Sequence, residues 1–248
     1  MRSLSKILLA AALLTGVGHA YAVNHSALIL KSGSANVVQD RHLSGFNAID
    51  AAGSFDVYIT QGSTESVKVD APSDVQDRII TEVEGSTLRI HNKNGSWSGW
   101  GDMFGHKKIN VYVVINQVNA IGITGSGDVY FKDGIHSSNL KLWVSGSGDV
   151  YGKVDTKGLD CNISGSGDMK LSGHAENASI NVSGSGDYTA RDLETANTSV
   201  HVSGSGDASI SVSNNLDASV SGSGDVSYRG GPKHVIKSKS GSGDISGD

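Results

Sequence analysis

Gly146-Ser147-Gly148-Asp149-Val150-Tyr151 closes one apolar run and opens the next, and its first four residues return throughout the second half of the chain. Gly-Ser-Gly-Asp begins at Gly125, Gly146, Gly165, Gly184, Gly204, Gly222 and Gly241, with first-to-first spacings of 21, 19, 19, 20, 18 and 19 residues. A repeat of that length denotes a solenoid or an array, in which each unit covers the apolar face of its neighbour. Counting back by twos from the first glycine, Val144, Leu142 and Leu140 precede the second copy, Ile163, Cys161 and Leu159 the third, and Val182 and Ile180 the fourth. The residue after each Asp continues the column: Val129, Val150, Met169, Tyr188, Ala208, Val226 and Ile245. Alternate residues of a strand share a face, so these point inward, while Ser145, Ser164, Ser183, Ser203 and Ser221 point outward with the Ser and Asp of each motif. The pattern predicts an all-β chain, a parallel β-solenoid of about 19 residues per coil preceded by a less regular β region.

Within that reading both motif glycines fall on the inward parity. A side chain there would meet the core at a sharp turn, and glycine also takes positive φ at low cost. The Asp is expected to bond a nearby backbone N–H in an Asx-type turn. A Gly/Ser-rich linker does not keep an apolar residue in one register seven times over.

The chain opens as an export signal. Arg2 and Lys6 precede the apolar run Ile7 to Leu14, and Ala20-Tyr21-Ala22 fits a small-x-small cleavage pattern. The run is too short for a membrane-spanning helix. Residues 1–22 are therefore a signal peptide, 23–45 a polar leader, 46–118 an irregular β region and 119–248 the regular solenoid. Removing the signal leaves 18 basic residues against 25 acidic, a balance that disfavours nucleic acid and anionic lipid. The one cysteine, Cys161, has the inward parity and reads as a small core residue. In the irregular region, Gly53-Ser54-Phe55-Asp56 is a degenerate first copy of the motif, Asp74 to Arg78 is a candidate helical turn, and Ile109 to Ile115 is a strong strand.

The segment Gly53-Ser54-Phe55-Asp56-Val57-Tyr58-Ile59, the turn and strand Glu84-Gly85-Ser86-Thr87-Leu88-Arg89-Ile90 and the Gly-Ser-Gly-Asp series together resemble the head GIN domain family, described as autotransporter adhesin heads of unknown function. The resemblance covers Phe46 to Asp248. It implies a right-handed β-helix with Gly-Ser-Gly at tight turns between sheets. It also implies adhesion at the cell envelope, in the periplasm or outside the cell of a Gram-negative bacterium, and brings no catalytic residues. The chain departs from a complete autotransporter in ending on a repeat with no following barrel.

Two residue sets are candidates for function. The aspartate column is Asp128, Asp149, Asp168, Asp187, Asp207, Asp225 and Asp244. Stacking holds its carboxylates roughly 4.8 Å apart, which resembles calcium-binding β-rolls and superficially a glycosidase pair. Repulsion at that distance is only about 1 kcal/mol in water, comparable to one backbone hydrogen bond. Calcium is thus a candidate ligand but is not required, and otherwise no cofactor is expected. The second set is aromatic: Trp97, Trp100 and Phe104 in the Gly-rich stretch Asn94 to His106 either fold back as a cap or contact a sugar or protein. Trp143, of outward parity, marks a further contact point. The histidines show no ligand spacing and read as surface residues.

These features favour an exported, non-enzymatic binding or adhesion module for a glycan or a cell-surface protein, acting as a monomer or weak oligomer. A structural envelope protein and a β-helix enzyme acting on polysaccharide are the alternatives. Lys237 and Lys239 take inward positions in the last coil, where charge would blunt an open strand edge.

Overall fold

The computed structural model describes residues 35–93 and 108–248. The signal segment, Trp97, Trp100 and Phe104 lie outside the described residues.

Five long strands carry the repeat: β9 (Val129–Gly146), β10 (Val150–Gly165), β11 (Met169–Gly184), β12 (Tyr188–Gly204) and β13 (Ala208–Gly222). Each is one coil, and each pairs in parallel with the next, so that Gly146, Gly165, Gly184, Gly204 and Gly222 stand in register. The chain is a β-solenoid of about seven turns at roughly 19 residues per turn. The column after the motif forms as the alternation requires: Val129, Val150, Met169, Tyr188, Ala208, Val226 and Ile245 are all at most 7% exposed. One continuous core runs from Phe46 to Ile245, and Cys161 lies in it, fully buried.

The glycines work differently from the expectation. The second glycine of each motif is buried, but the first is not. What excludes a side chain is the backbone of the preceding coil. A Cβ on Gly167 would overlap the Gly148 carbonyl oxygen, and one on Gly165 the Gly146 carbonyl oxygen; Gly165 also has φ +125°, where an L residue is strained. That close approach lets Ser166 N–H and Gly167 N–H both donate to Gly146 O, at 2.8 and 3.1 Å.

Before the repeats, the chain does not stack in sequence order. β2 (Ala48–Gly53) and β3 (Asp56–Gln61) form one coil around Gly53-Ser54-Phe55-Asp56, with Gly53 paired to Gly125 of β8 (Ala120–Gly125). β6 (Thr87–Asn92) and β7 (Asn110–Ile115) pair with the other edges of β2 and β3. The coil read first in the sequence is therefore sandwiched between two later ones. Outside them β5 (Ile79–Glu84) pairs antiparallel with β6, β4 (Ser66–Pro72) antiparallel with β7, and β1 (Asn36–Asp40) antiparallel with β4. A 3-10 turn, Gln76–Arg78, sits between β4 and β5. Its buried Gln76 donates to the carbonyls of Val69, at 3.1 Å, and Val37, which ties β1 and β4 into a cap. At the other end, β14 (Val226–Arg229) and β15 (His234–Gly241) both pair with β13, and β16 (Ile245–Gly247) closes on β14. Lys237 and Lys239 stand opposite Ala218 and Val220. They bend over the open end: Lys237 Nζ donates to Ile245 O at 2.9 Å and lies 4.9 Å from the Tyr228 ring centroid, and Lys239 reaches Asp244 Oδ1 at 3.4 Å.

Candidate functional site

The aspartates are explained by a contact between coils. Each carboxylate accepts the backbone N–H of the next motif's Asp: Asp149 N–H donates to Asp128 Oδ1 at 3.0 Å, Asp168 N–H to Asp149 at 2.8 Å, and the series continues to Asp244 N–H on Asp225 at 2.7 Å. The bond is thus made one coil away, in place of the local Asx turn expected. It caps a turn N–H that no strand partner reaches, so one oxygen of Asp128, Asp149, Asp168, Asp187, Asp207 and Asp225 already has a structural role. Among the described residues no group of three or more His, Cys, Asp or Glu side chains is arranged to hold a metal ion.

The other oxygen of the first two aspartates positions a second column. Two residues after the motif Asp, on the outward parity, stand Tyr130 and Tyr151; their hydroxyls donate to Asp128 Oδ2 at 2.9 Å and Asp149 Oδ2 at 2.8 Å. Tyr58, two residues after Asp56, pairs in register with Tyr130 and with Tyr112 of β7. The rings stack in the order Tyr112, Tyr58, Tyr130, Tyr151, with centroids 5.3, 5.1 and 5.4 Å apart and interplanar angles of 23°, 14° and 9°. Tyr112 is 42% exposed and the other three are half-buried. The hydrogen bond to Asp149, reinforced by partial desolvation, pushes the Tyr151 phenol up to about 12. Desolvation and the bond to Asp128 push Tyr130 the same way. Both therefore stay protonated donors near neutral pH, with rings fixed at the hydroxyl end.

Below Tyr151 the column continues as Lys170 and then Thr189, and there the repeat length varies. β9 places Lys132, Asp133 and Gly134 between Phe131 and Ile135, whose partners in β10 have Lys153 alone between them. β12 places Ala190 and Arg191 between Thr189 and Asp192, whose partners in β11 have only Leu171 between them. These insertions account for the 21- and 20-residue spacings. The two 19-residue coils between them form the floor of a recess of about 440 Å³, with Lys132 on one wall and Asp192 on the other. Gly152 has the inward parity, and the buried Phe131 ring fills the space its Cβ would take.

Of the residues expected from sequence to bind a partner, the structure describes only Trp143. It stands on the stretch of its coil that precedes the motif, apart from the tyrosines. Its ring lies over Gly122 of the adjacent coil, where a Cβ would clash, and it is half-buried. The histidines are less scattered than their spacing suggests. His136 and His174 approach Asp155 from either side, Nδ1 to carboxylate 3.3 and 3.8 Å, and all three side chains are exposed. A longer groove, of about 660 Å³, follows a corner lined by Asn139, Leu140, Gly158 and Asn177. Further along that corner the amides bond to one another, Asn197 Nδ2 to Asn177 Oδ1 at 2.9 Å and Asn215 Nδ2 to Asn197 Oδ1 at 2.6 Å, and no aromatic ring lines the groove.

A family described as "Putative auto-transporter adhesin, head GIN domain" matches residues 45–232. The chain belongs to the head GIN domain family. Among solved structures it is similar to "a putative adhesin" from Bacteroides fragilis NCTC 9343, at 25% identity and a TM-score of 0.79 over 86% of this chain and 97% of that one. A second "putative adhesin", from Parabacteroides distasonis ATCC 8503, shares 22% identity with a TM-score of 0.70, covering 87% and 98% of the two chains. A "putative lipid binding protein" from the same strain shares 24% with a TM-score of 0.67, covering 86% and 97%. No curated protein matches the chain. The family and the Bacteroides fragilis neighbour support an adhesion-like module, and the other two neighbours support the fold. Among the described residues no helix is long and apolar enough to cross a membrane.

Proposed function

We propose that this head GIN domain protein is an exported, non-enzymatic adhesion module whose tyrosine column and adjoining recess hold a glycan of a cell surface. The carrying observation is the four-ring stack, Tyr112, Tyr58, Tyr130 and Tyr151, in which the hydroxyls of Tyr130 and Tyr151 are fixed by bonds to Asp128 and Asp149 of the aspartate ladder. The stacked rings cover one another's faces and offer a line of ring edges, against which the C–H faces of successive sugar rings can pack, and rigid side chains lose little entropy on binding. A peptide laid along the same axis fits less well. Its side chains alternate at about 6.6 Å, out of step with rings 5.1–5.4 Å apart. The non-enzymatic reading is supported by the regularity of the carboxylates and by their structural hydrogen bonds.

The test is binding of the exported chain to a broad glycan and extracellular-matrix array, beside a Tyr130→Ala, Tyr151→Ala double variant and a Trp97→Ala, Trp100→Ala double variant, each matched for thermal stability. Glycan binding lost in the tyrosine variant supports the proposal. Binding lost only in the tryptophan variant moves the site to segment 94–107, and no binding by any form favours a structural envelope role.

A further inference from the structure

We infer that the recess beside Tyr151 selects an acidic sugar, one carrying a carboxylate, and that the tyrosine column above it holds the rest of the same chain; this rests on the glycan reading above. The chain carries a net charge of −5, yet three lysines, Lys132, Lys153 and Lys170, line this one recess. All three are exposed, and among the described residues none pairs with a carboxylate. Lys132 Nζ instead lies 5.5 Å from the Tyr130 ring centroid, a cation–π contact that aims the ammonium group along the aromatic column. The acidic residue in the lining, Asp192, has a cation of its own: its Oδ1 lies 3.1 Å from Arg229 Nη2. The ladder carboxylates nearest the recess are already engaged, Asp149 by the Asp168 N–H and the Tyr151 hydroxyl and Asp168 by the Asp187 N–H, so the three ammonium groups stay available to an anion entering the recess.

Shape narrows the ligand further. About 440 Å³ lies within the range of small-ligand sites and has room for one or two sugar rings. The floor is formed where Gly152 bears no side chain and Leu171 is turned into the core, and Tyr151 supplies the edge of a platform. Nucleic acid would bring many phosphates against a chain of net negative charge, whereas a glycan can place a single carboxylate against the lysines and run neutral rings up the tyrosines.

The experiment is calorimetric titration of the exported full chain with oligogalacturonate, beside the same oligosaccharide after methyl esterification, which removes the charge and keeps the rings. Oligogalacturonate is expected to bind at least about tenfold more tightly than its ester, because each exposed ion pair contributes a factor of a few. That preference should shrink as salt rises, and a Lys132→Gln, Lys153→Gln, Lys170→Gln variant should lose it. Tyr130→Ala, Tyr151→Ala should weaken both forms. Equal binding of acid and ester overturns the inference while leaving the glycan reading intact. Binding of neither form, together with a blank array, overturns both. Poly-glutamate binding as tightly as oligogalacturonate would also overturn it, since the recess would then be a general anion site.

Discussion

Gly167 offers the sharpest test of how the coils are held together. A methyl group there overlaps the Gly148 carbonyl oxygen and comes within 2.8 Å of Val144 Cγ1. Backbone cannot yield as the end of a side chain can, so Gly167→Ala must push two coils apart. Four hydrogen bonds span that gap: Ser166 N–H and Gly167 N–H to Gly146 O, at 2.8 and 3.1 Å, Asp168 N–H to Asp149 Oδ1 at 2.8 Å, and Val150 N–H to Asp168 O at 2.9 Å. At about 1 kcal/mol net for each, their loss costs roughly 4 kcal/mol, a large share of the 5–15 kcal/mol typical of a folded domain. Gly85→Ala is the control. Gly85 has φ +62° with nothing within 4 Å of its added Cβ, so only the left-handed backbone conformation is penalised, by about 1–2 kcal/mol. Urea unfolding monitored by circular dichroism should show Gly167→Ala losing clearly more stability than Gly85→Ala. Its transition should also broaden or split, because a solenoid is held by nearest-neighbour interfaces. If Gly167→Ala unfolds within about 0.5 kcal/mol of the parent, the range of an ordinary surface change, the close-approach account of the repeat is wrong.

Four further outcomes follow from the geometry. Tyr188 is buried, and among the described residues its hydroxyl has no partner within ordinary hydrogen-bond geometry, although it interacts with the Cys161 thiol; Tyr188→Phe should keep or raise stability by up to about 1 kcal/mol, and a lower urea midpoint would show that the thiol contact is a real bond. Tyr151 titrates near 12 in the fold against an ordinary 10, so its contribution to stability is complete below pH 10 and disappears between pH 10 and 12. Alkaline absorbance titration should show that late phenol, and Asp149→Ala should bring it back toward 10. Lys237→Val, Lys239→Val removes both charges from the open end of the core and should promote self-association, so an unchanged sedimentation profile argues against their role as edge guards. Chelation followed by restored calcium should leave thermal melting unchanged, since one oxygen of each laddered aspartate is taken by a backbone N–H and among the described residues no group of three or more ligating side chains is arranged to hold a metal ion; a rise in melting temperature with calcium would show the column to be a metal site.

The solenoid was legible because one register recurs seven times, and a column such as Val129, Val150, Met169 and Tyr188 cannot be inward by accident. The partner of each motif Asp was not legible. A bond to an N–H about 19 residues on looks, along the sequence, no different from a local turn. The stacking order of the first coils was hidden for a related reason. Val67, Val69, Leu88 and Ile90 read as strands in either direction, and it is the antiparallel pairing of β4 and β5 that sends the chain back outside β2 and β3. Among the tyrosines, Tyr58, Tyr130 and Tyr151 share the second place after a motif Asp and could have been aligned on that basis. Tyr112 has no motif before it, so only the pairing of β7 with β3 brings it into the stack.

Regularity and function are separated in this fold. A residue that must close every coil, such as the second glycine or the motif Asp, answers to its neighbours above and below and cannot change without loosening the stack. The outward place two residues after the Asp carries no such duty, and it runs Tyr58, Tyr130, Tyr151, Lys170, Thr189, Ser209 and Ser227. Its aromatic part ends where the lysines begin, between the coils with inserted residues. An insertion is costly in a solenoid unless it bulges out of the coil, and a pair of bulges leaves a recess between them. The longer spacings, 21 at the second motif and 20 at the fifth, therefore frame the proposed binding surface more directly than the seven identical tetrapeptides do.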